Sequence, residues 1–266
     1  MSAHPSLLRA HAHVCVCILI AMFTAAWAPR AGAIPTAPGF VVSVYDSVPD
    51  VEDMVFGTDG ALYVGRDNSG SGGGNADSVK IHRIVPGGGS HTTWGTRATW
   101  DPDAVGFDAA GLVTGVAGSV IVGGRPTGSA SGVVSAIRPD QSVVALWGPG
   151  AIFVNPTDFV FDGAGRMLMT DFETANVWQS TGGALSVFFS PGSGMRDIAI
   201  HPVTGQLYLN QYTSSAIRIY SASGVLQSTL ATGISALGMV FGTGGVWGTS
   251  LYTGVGTRLI RANSPT

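Results

Sequence analysis

The chain has 266 residues, which suits one large all-β domain or two ordinary domains, and its apolar residues are too frequent for a disordered protein. It carries 16 acidic residues against 13 basic ones and only two cysteines. An acidic surface repels phosphate backbones and anionic lipid, so the charge argues against nucleic acid as a partner.

Residues 1–33 have the pattern of a secretory signal peptide. Arg9 precedes an apolar run of 15 residues, 14–28, and Ala31 and Ala33 provide small residues for cleavage after position 33. The alternative is an uncleaved anchor, but a spanning helix needs about 20 apolar residues. We therefore predict an exported protein, periplasmic or extracellular, without a membrane span once the signal is removed.

Removal of the signal changes the chemistry that the chain can perform. Cys15 and Cys17 leave with it, so the mature chain has no disulfide, thiol nucleophile or cysteine metal ligand. Arg9 and Arg30 leave as well, and 11 basic residues then face 16 acidic ones, a net charge of about −5. We expect the mature chain to be a monomer.

A strand–turn–strand unit recurs along the rest of the chain. Its clearest copy is 158–171, weaker copies are 53–64 and 197–209, and degenerate copies start near Asp103 and Leu237. A hairpin that returns about every 40 to 50 residues is typical of a β-propeller with four strands per blade.

Five successive units are predicted from alternating apolar residues and turn residues. The predicted strands are 53–56, 61–65, 79–85 and 90–94; 103–107, 119–123, 133–137 and 143–147; 159–161, 167–170, 177–179 and 185–189; 198–200, 207–209, 217–220 and 225–230; and 239–241, 246–252 and 258–261.

The fifth unit lacks an outer strand, whereas the alternating segment 40–45 has no unit of its own. If 40–45 completes the last blade, the ring closes and no open edge remains. We therefore predict one all-β domain over 34–266, a five-bladed propeller closed by the N-terminal strand. Six blades, with one hidden in the long second unit, is the alternative.

The segment Asn155-Pro-Thr-Asp-Phe-Val-Phe-Asp-Gly-Ala-Gly-Arg-Met-Leu-Met-Thr-Asp171 resembles the repeat of NHL-type and SMP-30/gluconolactonase-like propellers. In those families a Pro-x-Asp or Pro-x-Gly enters the inner strand, and a Tyr-Val-Thr-Asp-like ending closes the next strand. The resemblance covers nearly all of the mature chain and implies propeller architecture more specifically than it implies any activity.

Aspartates precede or begin four predicted inner strands: Asp53, Asp103, Asp158 and Asp197. Inner strands line the channel of a propeller, so these carboxylates could converge and bind Ca²⁺ or another divalent cation through oxygen ligands. The lactonase-like resemblance implies such a metal, held by Glu, two Asn and Asp, with Asp158 and Asp197 in ligand positions. However, Asp53 stands where Glu is expected, and the Asn ligands are not evident. The alternative is that each aspartate hydrogen-bonds backbone amides.

Three arginines near strand ends, Arg66, Arg125 and Arg196, could offset these charges or bind an anionic ligand; solvated rim positions are the alternative. The Gly/Ser-rich segment 67–77 lacks the lysine of a phosphate loop and the closing glutamate of a calcium loop, which favours a flexible loop.

Three functions stay open from the sequence. The first is an exported, non-catalytic propeller that binds a small molecule or an extracytoplasmic protein at a channel mouth. A metal-dependent lactonase or hydrolase resembling SMP-30/gluconolactonase is the second, and a structural envelope protein is the third. Propellers host many functions, so the fold alone does not choose among them.

Overall fold

The computed structural model describes residues 44–48, 51–66, 79–97, 102–126, 129–148, 152–192, 194–233, 238–242, 248–255 and 258–262. Apart from Val44, all of them belong to one compact unit, Tyr45–Thr266. The predicted signal peptide and its boundary with the propeller lie outside the described residues. Within the described part of the chain, no helix has the length and apolar character needed to cross a membrane.

The described residues form five antiparallel sheets, which we name A to E in chain order. Each sheet is a run of consecutive strands. Sheet A contains β1 (Val51–Phe56), β2 (Leu62–Arg66), β3 (Val79–Ile84) and β4 (His91–Arg97); sheet B contains β5 (Ala104–Asp108), β6 (Ser119–Gly124), β7 (Val133–Ile137) and β8 (Val143–Trp147); and sheet C contains β9 (Pro156–Phe161), β10 (Met167–Asp171), β11 (Val177–Thr181) and β12 (Ala184–Phe189).

Sheets D and E follow the same meander order. Sheet D contains β13 (Met195–Ile200), β14 (Leu207–Gln211), β15 (Ala216–Tyr220) and β16 (Leu226–Thr232), and sheet E contains β17 (Gly238–Phe241), β18 (Leu251–Val255) and β19 (Arg258–Ala262). The predicted all-β propeller architecture is confirmed. One strand was misplaced: we expected 246–252, but 248–250 form a turn and β18 begins at Leu251, because Leu251 pairs with Phe241.

Aspartates set the hairpin between the first two strands of sheets A and C. Oδ1 of Asp59 accepts the Ala61 amide at 3.1 Å, and Oδ1 of Asp162 accepts the amides of Ala164 and Arg166 at 3.0 and 2.9 Å. An aspartate that satisfies amides two to four residues ahead stabilises a tight turn. This local chemistry explains why the repeat could be recognised from the sequence.

Among the described residues, four buried clusters of the hydrophobic core each lie between two consecutive sheets. Tyr63 and Ile81 of sheet A meet Val105 and Val122 of sheet B in the first cluster. The other three join B to C, C to D and D to E, around Phe159, Ile198 and Phe241 respectively. Burying one such large side chain contributes about 1.5–3 kcal/mol, so these interfaces hold the sheets in sequence order.

The two ends of this series lack such cover. On sheet A, Met54 and Phe56 are 56% and 63% exposed, and on sheet E Val240 is 62% exposed. Phe159 and Ile198, which are equivalent to Met54 in the strand register, are buried. Among the described residues, sheet E has three strands. Most of the predicted closing strand 40–45 lies outside the described residues, and Val44 and Tyr45 are not in a strand. Closure through this strand and the count of five blades therefore stay predictions.

Candidate functional site

The first strands of the sheets, β1, β5, β9, β13 and β17, contact one another in chain order and bring three aspartates together. Asp53 pairs with Gly65 of β2, Asp158 with Thr170 of β10, and Asp197 with Asn210 of β14. These are equivalent positions in three sheets. In the other two sheets the same position holds a residue without a carboxylate, either Ala104 or Gly238.

Each of the three carboxylates joins two neighbouring sheets through a backbone amide. Asp53 Oδ2 accepts the Val105 amide at 2.6 Å, Asp158 Oδ2 accepts the Ile198 amide at 2.9 Å, and Asp197 Oδ2 accepts the Met239 amide at 2.7 Å. We call these contacts the aspartate clasps. The Oδ1 atoms of Asp53 and Asp158 also accept the amides of Met54 and Phe159, at 2.7 Å each.

Asp103 does not occupy the position that the repeat pattern suggested. β5 begins one residue later, at Ala104, and Ala104 is the residue equivalent to Asp53, Asp158 and Asp197. Successive residues of a strand point to opposite faces, so a shift of one residue separates Asp103 from the other three aspartates. Three aspartates, Asp53, Asp158 and Asp197, therefore share the equivalent strand position, instead of the four that we expected.

The electrostatic environment favours protonation of the three carboxyl groups. Burial and then the charge of Asp158 raise the pKa of Asp53 to about 8, although the Val105 and Met54 amides and Arg196 oppose the shift. Burial likewise raises the pKa of Asp158 and of Asp197. A hydrogen bond between these two groups raises the pKa of Asp158 further and opposes the rise in the pKa of Asp197. Carboxyl groups this close cannot all ionise freely.

Two of the predicted arginines pair with glutamates that the sequence analysis did not single out. Arg196 Nη2 lies 3.7 Å from Glu52 Oε2 and connects β13 with β1, although these strands belong to the fourth and first sheets. Arg125 Nη1 lies 3.2 Å from Glu173 Oε1 and connects sheets B and C at an exposed rim. Arg66 ends β2 and is half-buried. The three arginines therefore lie near the same end of the sheets as the aspartates, and two of them are paired with glutamates.

The three aspartates Asp53, Asp158 and Asp197 are not arranged as the ligands of a divalent cation. The described residues contain no group of three or more His, Cys, Asp or Glu side chains placed to hold a metal ion. Four carboxylate oxygens of Asp53 and Asp158 already accept backbone amides. A cation such as Ca²⁺ takes about six to eight oxygen ligands at once, whereas these oxygens are already engaged, so we derive no metal-dependent step from this site.

Two aromatic residues lie at the same end of neighbouring sheets as the three aspartates. Phe172 follows β10 and Tyr212 follows β14, each two residues beyond the strand partner of Asp158 or Asp197. Gly194 joins them: its amide donates to the Phe172 carbonyl at 2.8 Å, and its carbonyl accepts from the Tyr212 amide at 2.8 Å. Phe172 is half-buried and Tyr212 is 40% exposed. We call this end of the sheets, which carries the three aspartates and the two aromatic residues, the mouth.

The most heavily bonded residue beneath the mouth is Asp171, which the sequence analysis treated only as the end of a repeat. Its carboxylate is buried and accepts the amides of Val154, Asn155 and Glu173 and the Thr174 hydroxyl, at 2.9, 2.9, 3.1 and 2.6 Å. It fixes the loop that enters β9 and the loop that carries Phe172. The resemblance of Thr170-Asp171 to the Thr-Asp ending of the family repeat was the available signal for this role. The loop 67–77 lies outside the described residues.

Comparisons with known proteins support the fold. No protein-family model and no curated protein matches the sequence. A solved protein assigned as a gluconolactonase is similar to the chain at 15% identity and a TM-score of 0.58, over 79% of this chain and 72% of that one. Virginiamycin B lyase from Staphylococcus aureus is similar at 14% identity and a TM-score of 0.52, over 82% and 71%.

A third similar structure is regucalcin, a calcium-binding protein from Agrobacterium tumefaciens, at 12% identity and a TM-score of 0.55, over 75% of this chain and 66% of that one. The fold is thus the β-propeller of gluconolactonase-like and SMP-30/regucalcin-type structures, as the sequence repeat suggested. Likeness at this level of identity establishes the fold and leaves the activity to the site.

Proposed function

We propose that the protein is an exported propeller that binds a small organic cation at the mouth without transforming it. The proposal rests on one observation: Asp53, Asp158 and Asp197 meet at one end of the first strands, beneath the rim formed by Phe172 and Tyr212. An ammonium group would favour the ionised carboxyl groups, and aromatic faces attract cations. No nucleophile with an adjacent base is evident among the residues of this mouth.

Binding of a cation to this site has a measurable proton signature. Because the pKa values of Asp53 and Asp158 are raised above their ordinary range, a bound ammonium group should displace protons from these carboxyl groups into solution. The probe is benzylammonium chloride, with benzyl alcohol as the uncharged control of the same shape. We expect calorimetry at pH 6.5 to show saturable binding of the cation alone, with proton release that differs between buffers of different ionisation enthalpy. Equal responses to the two compounds would contradict the proposal.

A matched pair of variants locates the binding. Asp158→Ala should abolish benzylammonium binding, because it removes a carboxyl group from the mouth. Asp140→Ala changes an exposed aspartate in the β7–β8 turn and should leave binding unchanged. If both variants bind as the unmodified protein does, the cation does not use the mouth.

The second candidate is a metal-dependent lactonase, which the likeness to a gluconolactonase and to calcium-binding regucalcin favours. It predicts that Ca²⁺ or Mg²⁺ added after EDTA raises the melting temperature of the exported chain. A cation at 100 times its dissociation constant stabilises the native state by about 2.7 kcal/mol. That corresponds to a rise of several degrees in a domain of this size. The cation-binding proposal predicts no saturable rise, and a rise that is lost in Asp158→Ala would favour the lactonase.

A further inference from the structure

The segment before the first strand is fastened to one hairpin of sheet A. The Tyr45 carbonyl accepts the Gly89 amide at 2.7 Å, and the Tyr45 hydroxyl accepts the Gly87 amide at 3.0 Å and lies 3.4 Å from the Val85 carbonyl. Gly88 has a positive φ, and a Cβ atom there would lie 2.3 Å from the Tyr45 carbonyl oxygen. The β3–β4 turn thus leaves room for the backbone of residues 45–48, which we call the strap.

A carboxylate and two imidazoles lie where the strap meets β3 and β4. Asp46 Oδ1 is 3.0 Å from Nδ1 of His91 and also accepts the Ser47 amide at 2.6 Å. The His91 ring meets the His82 ring edge to face, with centroids 4.9 Å apart. The Asp46 side chain is only 9% exposed, His82 is 7% exposed, and the His91 side chain is 32% exposed. The carboxylate is therefore largely removed from water and lies against ionisable rings.

The strap also supplies apolar cover that sheet A lacks from a neighbouring sheet. Val48 packs against Leu62, Val64 and Ile84, which form a small buried cluster separate from the four clusters between sheets. Met54 and Phe56 pair with Val64 and Leu62 in the β1–β2 register and so lie on the same face of the sheet. The strap covers the part of this face nearer to β3, whereas Met54 and Phe56 remain exposed.

We propose that the strap is a pH-dependent latch, held tightly when His91 is protonated against the Asp46 carboxylate and more loosely when His91 is neutral. Imidazole is the side chain that changes charge near neutral pH, and protonation of His91 adds the attraction of an opposite charge to its hydrogen bond with the Asp46 carboxylate. Release of the strap uncovers Leu62, Val64 and Ile84 and joins them to the exposed Met54 and Phe56.

The groups around Asp46 keep its carboxylate ionised over the pH range in which the neighbouring imidazoles change charge. Burial raises the pKa of Asp46, but the hydrogen bonds from His91 and Ser47 and the nearby His91 and His82 rings lower it below its ordinary value overall. Because this pKa lies below the ordinary aspartate value, the Asp46 carboxylate is ionised throughout the range in which imidazoles titrate. Arg83, the next residue after His82 on β3, is held by Asp59 at 2.6 Å.

Amide hydrogen exchange tests the latch on the exported chain. The Gly87 and Gly89 amides donate to the strap, and their protection, corrected for intrinsic exchange, reports its closure. We expect protection of both amides to fall about five- to tenfold between pH 6 and pH 8.5. Asp46→Asn and His91→Gln should reduce protection at pH 6 to the level of pH 8.5 and remove its pH dependence.

Two controls distinguish release of the strap from general unfolding. Asp140→Asn changes an exposed aspartate that accepts bonds from Ser142, away from the strap, and should behave as the unmodified protein does. Amides in the β10–β11 ladder of sheet C, such as that of Met169, report whether a variant is still folded. The latch is refuted if Gly87 and Gly89 keep the same protection from pH 6 to 8.5, or if His91→Gln retains the pH dependence while sheet C stays protected.

Discussion

Oδ2 of Asp158 lies 2.9 Å from the backbone nitrogen of Ile198, so a side chain of sheet C completes the hydrogen bonding of sheet D. Asp158→Ala removes this clasp and leaves the amides of Ile198 and Phe159 without their acceptor. We expect the free energy of unfolding to fall by about 1–3 kcal/mol at pH 5, measured by urea denaturation. Asp140→Ala is the control, and a fall of the same size in both variants would show that the clasp contributes no specific stability.

The stability of the propeller should decrease as pH rises from about 4 to 8. The folded-state pKa of Asp53 is raised to about 8, and burial also raises those of Asp158 and Asp197. The native state then binds more protons than the unfolded chain, so its stability is full below the unfolded pKa near 4 and is lost as pH rises through the folded values. Urea midpoints measured at constant ionic strength check this sign. A midpoint that rises over the same range would disprove it.

Asp171→Asn should be among the more damaging single substitutions at the mouth. The buried carboxylate accepts four hydrogen bonds, and an amide side chain replaces one acceptor oxygen by a donor that faces amide hydrogens. We expect a loss of about 2–3 kcal/mol, seen as a lower melting temperature, and weaker ligand binding because the Phe172 loop is released. Asp140→Asn, which affects an exposed turn, should shift the melting temperature by far less.

Gly194→Ala tests the spacing of the aromatic rim. Gly194 has φ +75, and a Cβ atom would meet Oγ1, Cγ2 and Cβ of Thr213 at 2.2, 2.4 and 2.8 Å. Gly115 has φ +74 with nothing within 4 Å, so Gly115→Ala measures the backbone cost alone, about 1–2 kcal/mol. We expect Gly194→Ala to lose about 1–3 kcal/mol more than this control, because the loops must separate. Equal losses would mean that Thr213 moves aside without cost.

The strands were predictable because alternation and turn chemistry are local properties. The Asp162 turn and the Leu185-containing outer strand of sheet C, for example, follow from residues within a few positions of each other. The convergence of Asp158 and Asp197 was also predictable, since both begin the same motif.

What the sequence could not decide was register. Asp103 and Ala104 are adjacent, and only the pairing of Ala104 with Gly123 shows which of them is equivalent to Asp158. The Arg196–Glu52 pair joins residues 144 positions apart, and the Asp46–His91 pair joins residues 45 apart. Such contacts depend on how sheets are placed, which no pattern in one strand records.

The four clusters between sheets couple the described part of the molecule as a series of neighbours. Each cluster couples only two adjoining sheets, so a cavity made at Ile198 weakens the C–D coupling and leaves the A–B coupling around Tyr63 intact. Among the described residues, sheets B, C and D are each held by two such couplings, whereas sheets A and E are each held by one. Fraying should therefore begin at sheets A and E and reach sheet C last, unless closure of the ring by segment 40–45 couples sheet E to sheet A and removes this order.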